Sequence, residues 1–311
     1  MRLLLVVNSF ASSVTARNTV VIHQELSRHH EVALVETNRR GHATRFAQDA
    51  ATRGVDVVIG FGGDGTLNEV ATGIAGSDTA LGVLPGGSTN VFARTIGLPN
   101  DPVQAVKMLS SALDDPGCTR PIGLGKVNGR YFCFHTGIGY DAAVVKAVER
   151  RAAIKRWAGH PLFIYAALKT WLLNYDRSAP HFSLRFGDGT VVPDGYFTIV
   201  LNTNPYTYLG NRPLDLSAAA TLDRGLVAVT FRTMKALAII GSLGAALRGG
   251  GVKTSRHLDE HVDVTHLIVE HDTPFPYQLD GDYLGETNRL EFHHVPEAMR
   301  LVVPSPAHRS S

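Results

Sequence analysis

Between residues 57 and 70 the chain passes from an apolar strand through a glycine turn directly into a helix, and this constrains the fold more than any other stretch. Val57-Val58-Ile59-Gly60-Phe61 has no charge, as a strand buried on both faces requires. Gly62-Gly63-Asp64-Gly65-Thr66 follows. Glycines let the backbone approach a ligand closely, and the helix start behind them offers N–H groups and positive potential to an anion such as phosphate. Asp64 and Thr66 add groups suited to orienting a phosphate-bound metal or a hydroxyl. The plainer alternative is a tight turn with Thr66 as helix N-cap. Asn68 and Glu69, polar residues in the first helical turn, favour the binding role. The spacing is neither GxxxxGK[ST] nor GxGxxG after a first strand, so a P-loop or a simple dinucleotide-binding domain fits poorly.

The flanking sequence predicts a parallel sheet. Strands are expected over Leu3–Asn8, Glu31–Thr37, Val55–Phe61 and Leu81–Leu84, and helices over Thr19–His29, Arg45–Arg53 and Leu67–Ile74. Apolar strands alternating with amphipathic helices give a sheet covered on both faces, with ligands beyond the carboxyl ends of the strands. Asn8, Thr37 and the Gly62 loop all fall at those ends. At 311 residues the chain has length for two domains. From residue 121 the pattern becomes short strands: Ile122–Lys126, Arg130–His135, Phe182–Phe186, Tyr196–Asn202, Leu226–Arg232, His261–Val269, Tyr277–Leu279 and Arg289–His293. Asn128-Gly129, Asp188-Gly189 and Asp280-Gly281 supply turns. The expected architecture is therefore α/β + β. An α/β domain spans 1–120 and is completed by a C-terminal strand near 297–304. A β-sandwich domain spans 121–296 and is interrupted by helices near 141–174 and 234–248. The boundary is expected around Asp115-Pro116-Gly117.

A second glycine loop, Pro85-Gly86-Gly87-Ser88-Thr89-Asn90-Val91-Phe92-Ala93-Arg94, follows the next strand. Two such loops on adjacent strands would share one crevice. Here a family resemblance becomes specific. Gly62–Val70 resembles the nucleotide-binding motif of the diacylglycerol kinase catalytic-domain family, and Pro85–Arg94 its second motif. Gly137-Ile138-Gly139-Tyr140-Asp141-Ala142 resembles the third and Asp280-Gly281-Asp282 the fourth. Asn8, and Thr37 with Gly41-His42-Ala43, match early nucleotide-contacting positions.

The resemblance implies a nucleotide domain like that of phosphofructokinase and NAD kinases, joined to a β-sandwich. It implies transfer of the ATP γ-phosphate to a lipid hydroxyl, with Mg2+ accompanying ATP. Diacylglycerol is the default acceptor; a sphingoid base, ceramide, monoacylglycerol or a prenyl-type alcohol are alternatives. Gly62, Gly63, Asp64, Gly65, Thr66 and Glu69 are implied as ATP-binding, with Asn8, Thr37, Ser88 and Asn90. Asp282 stands where the family usually has glutamate as general base; Asp280 is the alternative base or a turn residue. Asp141 is implied as a supporting carboxylate or a helix cap. A structural magnesium would fall on Thr221, Asp223 and Leu226, although Arg224 stands where a metal-binding aspartate is usual. Val91 likewise replaces a family aspartate. An NAD kinase and a non-catalytic binding protein are the competing readings.

A formal net charge of +2 is too mild to imply nucleic acid. Lys146, Arg150, Arg151, Lys155 and Arg156 precede an apolar stretch from Trp157 to Leu173, which suits an anionic membrane surface. Ala236–Leu247, apolar and rich in small residues, reads as core ahead of lipid contact, the alternative. The two cysteines, Cys118 and Cys133, lie in no metal or CxxC spacing, and no apolar run is long enough to span a bilayer. The expected setting is cytoplasmic, at the inner membrane face, with a homodimer expected by resemblance.

Overall fold

The computed structural model describes residues 1–115, 117–149, 162 and 164–303. Contacts divide the chain into two compact units: Met1–Leu124 with the described residues from Glu297, and Gly125–Pro296.

In the first unit β1 (Arg2–Val7), β2 (Glu31–Glu36), β3 (Val57–Gly62) and β4 (Ala80–Pro85) form a parallel sheet in the order β4-β3-β1-β2. β3 and β4 are buried at every residue, as strands covered on both faces must be. The connecting helices are α1 (Ala16–Leu26), α2 (His42–Thr52) and α3 (Asp64–Ile74). Thr15 caps α1, its side chain accepting the Asn18 N–H. Two more helices follow the second glycine loop, α4 (Val91–Thr95) and α5 (Pro102–Leu113). Asp101 caps α5 ahead of Pro102, a start signal legible in sequence. Leu3, Leu5, Ile59, Phe61, Ile22, Leu26 and Leu109 share one core cluster, which holds the strand ends in place.

The second unit contains β5 (Thr119–Val127, entering from the first unit), β6 (Arg130–Phe132), β7 (His135–Gly139), β8 (Phe182–Phe186), β9 (Val191–Gly195), β10 (Phe197–Leu201) and the small β11 (Thr207–Leu209) and β12 (Arg212–Leu214) pair. β13 (Leu226–Phe231), β14 (Leu258–Val264), β15 (His266–Leu279) and β16 (Asp282–Val302) complete it. β14-β13-β10-β7-β15-β16 are hydrogen-bonded neighbours in that order. A single residue, Thr265, separates β14 from β15 in sequence, yet three strands separate them in the sheet. The sheet must therefore fold back on itself. Phe132, Phe182, Phe275 and Phe292 belong to the core this creates.

The sequence predicted one strand over His261–Val269. The chain instead breaks there, between β14 and β15 at Thr265, with Asp263 at φ +55 just before the corner. The helical interruptions are α6 (Tyr140–Glu149), helix over 164–169 ending in a π-helical turn at Thr170–Asn174, and α7 (Ala236–Leu247). Arg150, Arg151, Lys155, Arg156, Trp157 and Phe163 lie outside the described residues, as does Pro116 of the expected boundary. The far end of β16 returns to the first unit, where Arg300 and Leu301 pair in parallel with Ala80 and Leu81.

α7 corrects a second expectation. It was read as core, but among its residues only Ala246 is buried, and Leu237 is 88% exposed.

Candidate active site

In the first unit the two glycine loops lie side by side because β3 and β4 pair through to Gly62 and Pro85. The Gly86 N–H donates to the Gly62 carbonyl at 2.8 Å. A Cβ on Gly86 would stand 2.8 Å from the Gly62 Cα, so glycine is required by backbone-to-backbone approach. The first loop ends at Gly63, the N-cap of α3. Thr66, the alternative helix cap from sequence, lies inside the helix, and its Oγ1 accepts from Asn8 Nδ2 at 2.9 Å. Asn8, at the end of β1, thereby ties that strand to the start of α3.

Asp64 points toward the second loop. Its carboxylate accepts the Val91 N–H at 3.0 Å and the Phe92 N–H at 3.1 Å, fastening the start of α4 to the start of α3. Loss of water pushes the Asp64 carboxyl above its ordinary range, and these two N–H groups oppose that shift.

Glu69 and Asn90, expected to touch ATP, are both hydrogen-bonded within the protein. The Glu69 carboxylate accepts from Gly41 (2.9 Å) and Ala43 (3.1 Å) at the start of α2. Asn90 is buried; its Oδ1 accepts the Gly87 N–H at 2.7 Å and its Nδ2 donates to Asn100 at 2.6 Å. Thr37 is also buried, its N–H donating to the Val7 carbonyl at 2.8 Å. Ser88 is exposed at the tip of the second loop. Ser13, which no motif marks, supports that loop from β1's side by donating its N–H to Gly86 at 2.8 Å. What faces outward is a helix start and two glycine turns braced from behind, an arrangement suited to phosphate.

In the second unit Asp280-Gly281 joins β15 to β16 with φ of +48 and +85, the two positive values of a type I′ hairpin turn. Asp280 is buried, and its carboxylate accepts the backbone N–H groups of Cys133 (2.7 Å), Phe134 (3.0 Å) and His135 (3.0 Å). These three bonds anchor the turn to the chain that enters β7. Asp282, partly exposed, opens β16 opposite Leu279.

Asp141, in the first turn of α6, is buried and accepts from the Tyr206 hydroxyl and, at 2.8 Å, from Gln278 Nε2. The other end of Gln278 accepts the Gly281 N–H at 2.8 Å. Asp141 therefore positions the Asp280–Asp282 turn through Gln278. Desolvation raises its carboxyl, opposed by both donors. Gly137 makes room for it: a Cβ there would stand 1.5 Å from Asp141 Oδ2. Tyr206 and Gln278 carry no sequence signal of their own; only the fold brings them to Asp141.

His135 packs against Tyr206, with ring centroids 4.5 Å apart, and burial lowers its pKa to about 3. Because the folded pKa lies below the unfolded value, His135 contributes stability at neutral pH that is lost as pH falls from about 6.5 toward 3. Its share of the slope is at most about 1.4 kcal/mol per pH unit. Unfolding of wild type and His135→Gln compared between pH 7 and 5 should show the steeper decline in wild type; equal slopes would show that His135 carries no such term.

The expected structural metal set does not fit a divalent cation. Thr221 and Asp223 are exposed loop residues and Leu226 is buried in β13. The Thr221 carbonyl already accepts the Arg224 N–H at 3.2 Å. Arg224 forks onto Asp263, with Nε to Oδ1 at 2.9 Å, and holds that carboxyl below its usual range. A guanidinium supplies the positive charge beside this loop. Elsewhere, His266, Glu291 and His293 bring three donor atoms within 4.8 Å on one face of β15–β16. His293 pairs across strands with His266. Glu291 is also paired with Arg289 and lies within hydrogen-bond distance of His266 Nε2.

Comparison with known proteins bears on all of this. The family model of the diacylglycerol kinase catalytic domain matches residues 2–126. The diacylglycerol kinase of Bacillus subtilis (strain 168) is 42% identical over 112 residues, which are 35% of this chain and 36% of that protein. A relative named "Probable lipid kinase YegS-like", from Chromohalobacter salexigens, is 33% identical over 282 residues, covering 88% of this chain and 85% of that protein. The crystal structure of a diacylglycerol kinase from Bacillus anthracis str. Sterne superposes with a TM-score of 0.71 at 22% identity over 98% of this chain and 97% of that one, a likeness of fold. Over nearly its whole length, then, the chain is similar to lipid kinases, and it belongs to the diacylglycerol kinase catalytic-domain family.

Proposed function

We propose that the chain transfers the γ-phosphoryl group of ATP to a lipid hydroxyl, with diacylglycerol as acceptor and phosphatidic acid as product. The observation that carries this reading is the locked pair of glycine loops, in which Asp64 and Gly86 hold two turns and a helix start side by side. ATP enters as its Mg2+ complex, the metal neutralising charge on the phosphates.

In this reading the backbone of Gly62–Thr66 and Ser88 hold the phosphates, while Asn8, Glu69 and Asn90 keep the loops in shape. The Asp282 carboxylate takes the acceptor's hydroxyl proton as its oxygen bonds to the γ-phosphorus and the bond to the ADP oxygen breaks. Asp141 and Gln278 set the position of Asp282 through the turn. Cys118 and Cys133 are buried and form no disulfide, which suits a reducing cytoplasm.

Purified protein with MgATP, offered separately diacylglycerol, sphingosine, ceramide, monoacylglycerol, a prenyl alcohol and NAD, tests the reading. Label should enter phosphatidic acid. Label entering another lipid would change the acceptor; label entering NAD alone, or no product at all, would overturn lipid kinase activity.

A further inference from the structure

α7 presents an apolar face to solvent. Leu237 is 88% exposed, Ile240 64%, Leu243 45% and Leu247 37%, and these positions fall on one side of a helix. Nothing in a monomeric fold stabilises four large aliphatic side chains in water, so a contiguous exposed set marks a contact surface. The opposite side of α7 rests on the protein, with Ala246 buried in a cluster that also holds Phe231, Met234 and Leu258.

Charge identifies what meets that face. Residues 233–258 contain Lys235, Arg248, Lys253 and Arg256 and no aspartate or glutamate. All four cations are exposed, one before the helix and three after it. A cavity of about 460 Å3 runs beside α7, lined by Ala238, Gly241 and Ala245 with Arg248, Lys253 and His257 among its polar residues. Apolar floor and cationic edge together match an amphiphile whose head is anionic. A second copy of the chain matches less well, because an isologous contact would set these cations against themselves.

A second exposed apolar segment lies in the same unit. Leu168, Leu172 and Leu173 are 58%, 57% and 74% exposed, while Trp171 between them packs on the same buried cluster as Ile239 of α7. No helix among the described residues is long and apolar enough to cross a membrane. An apolar helix face of this length, edged by cations, suits the headgroup boundary of a bilayer instead.

We infer that α7 is a membrane-docking element, inserting Leu237, Ile240, Leu243 and Leu247 into an anionic lipid surface while Lys235, Arg248, Lys253 and Arg256 engage lipid phosphates. The role rests on the lipid-kinase reading only in that the acceptor is then reached from the bilayer; docking itself is measured without any phosphoryl transfer.

The experiment is co-sedimentation of the full chain with vesicles of phosphatidylcholine alone or mixed with phosphatidylglycerol. Wild type should sediment with the anionic vesicles. Leu237→Asp with Ile240→Asp should lower partition at least about tenfold. Arg248→Glu with Lys253→Glu should lower it about fivefold or more for each charge reversed. Because these residues are exposed, thermal unfolding should not change, and turnover of a dispersed short-chain diacylglycerol should stay at the wild-type level while turnover of vesicle-borne diacylglycerol falls. Equal sedimentation of wild type and the Leu237/Ile240 variant would overturn the inference. So would a wild-type dimer, made monomeric by that variant, that ignores vesicles. A wild type that sediments through α7 yet phosphorylates no lipid would leave docking standing and remove the kinase reading.

Discussion

Asp282→Asn is expected to lower kcat for lipid phosphorylation by about two to four orders of magnitude, the usual worth of a positioned general base. Asparagine keeps the shape of the side chain but cannot take the acceptor's proton. Asp282 is partly exposed at the start of β16, so the fold should be kept and the unfolding temperature should barely move. Asp280→Asn should do the reverse. Its carboxylate satisfies three buried N–H groups, and an amide turned toward them cannot accept from all three. Each donor left without an acceptor costs on the order of 1–3 kcal/mol. Steady-state kinetics beside thermal unfolding separates the two. Full kcat in Asp282→Asn would remove it as the base; loss of activity in Asp280→Asn without loss of stability would make Asp280 the base.

Asp64→Ala should have an effect of similar size by another route. It deprives the Val91 and Phe92 N–H groups of their acceptor and uncouples the start of α4 from the start of α3. A shift of about 1 Å at a positioned phosphate is enough to cost on the order of 10²-fold in rate. Asp64→Asn is not expected to rescue, since its NH2 group would face one of those N–H donors. The loss should therefore show in both kcat and the KM for ATP, with a stability decrease of about 1–3 kcal/mol. Wild-type ATP kinetics in Asp64→Ala would mean that the two loops do not act as one phosphate cradle.

Much of the fold could be read from the chain because its strands are short, apolar and closed by strong turn signals. The strand–glycine–helix segment at 57–70 behaved as its composition demands, as did Asp280-Gly281. What sequence hid falls into four physical kinds. Polar side chains in or beside glycine loops look like ligands, but Glu69 accepts from backbone donors 28 and 26 residues away that only the tertiary fold brings near, and Asn90 closes its own loop on the Gly87 N–H. The corner at Asp263 sits among Val262, Val264 and Thr265, β-branched residues that favour extended chain and outweighed the one strand-averse aspartate in the local pattern. An all-apolar helix such as Ala236–Leu247 carries no periodic contrast, and burial is then the default reading. Tyr206 and Gln278 could not be found by spacing, since they lie 65 and 137 residues from the Asp141 they contact.

The pairing of Arg300 and Leu301 with β4 has a consequence for how the protein is made. A ribosome releases β1 through α5 long before it reaches residue 300. Until then the hydrogen-bonding edge of β4 has no partner strand, and it is composed of buried-type residues that favour pairing with any extended chain nearby. The nascent first unit thus waits through the synthesis of the whole second unit for the strand that closes its sheet. The order of translation makes the last described strand of the chain a guard for one of the first.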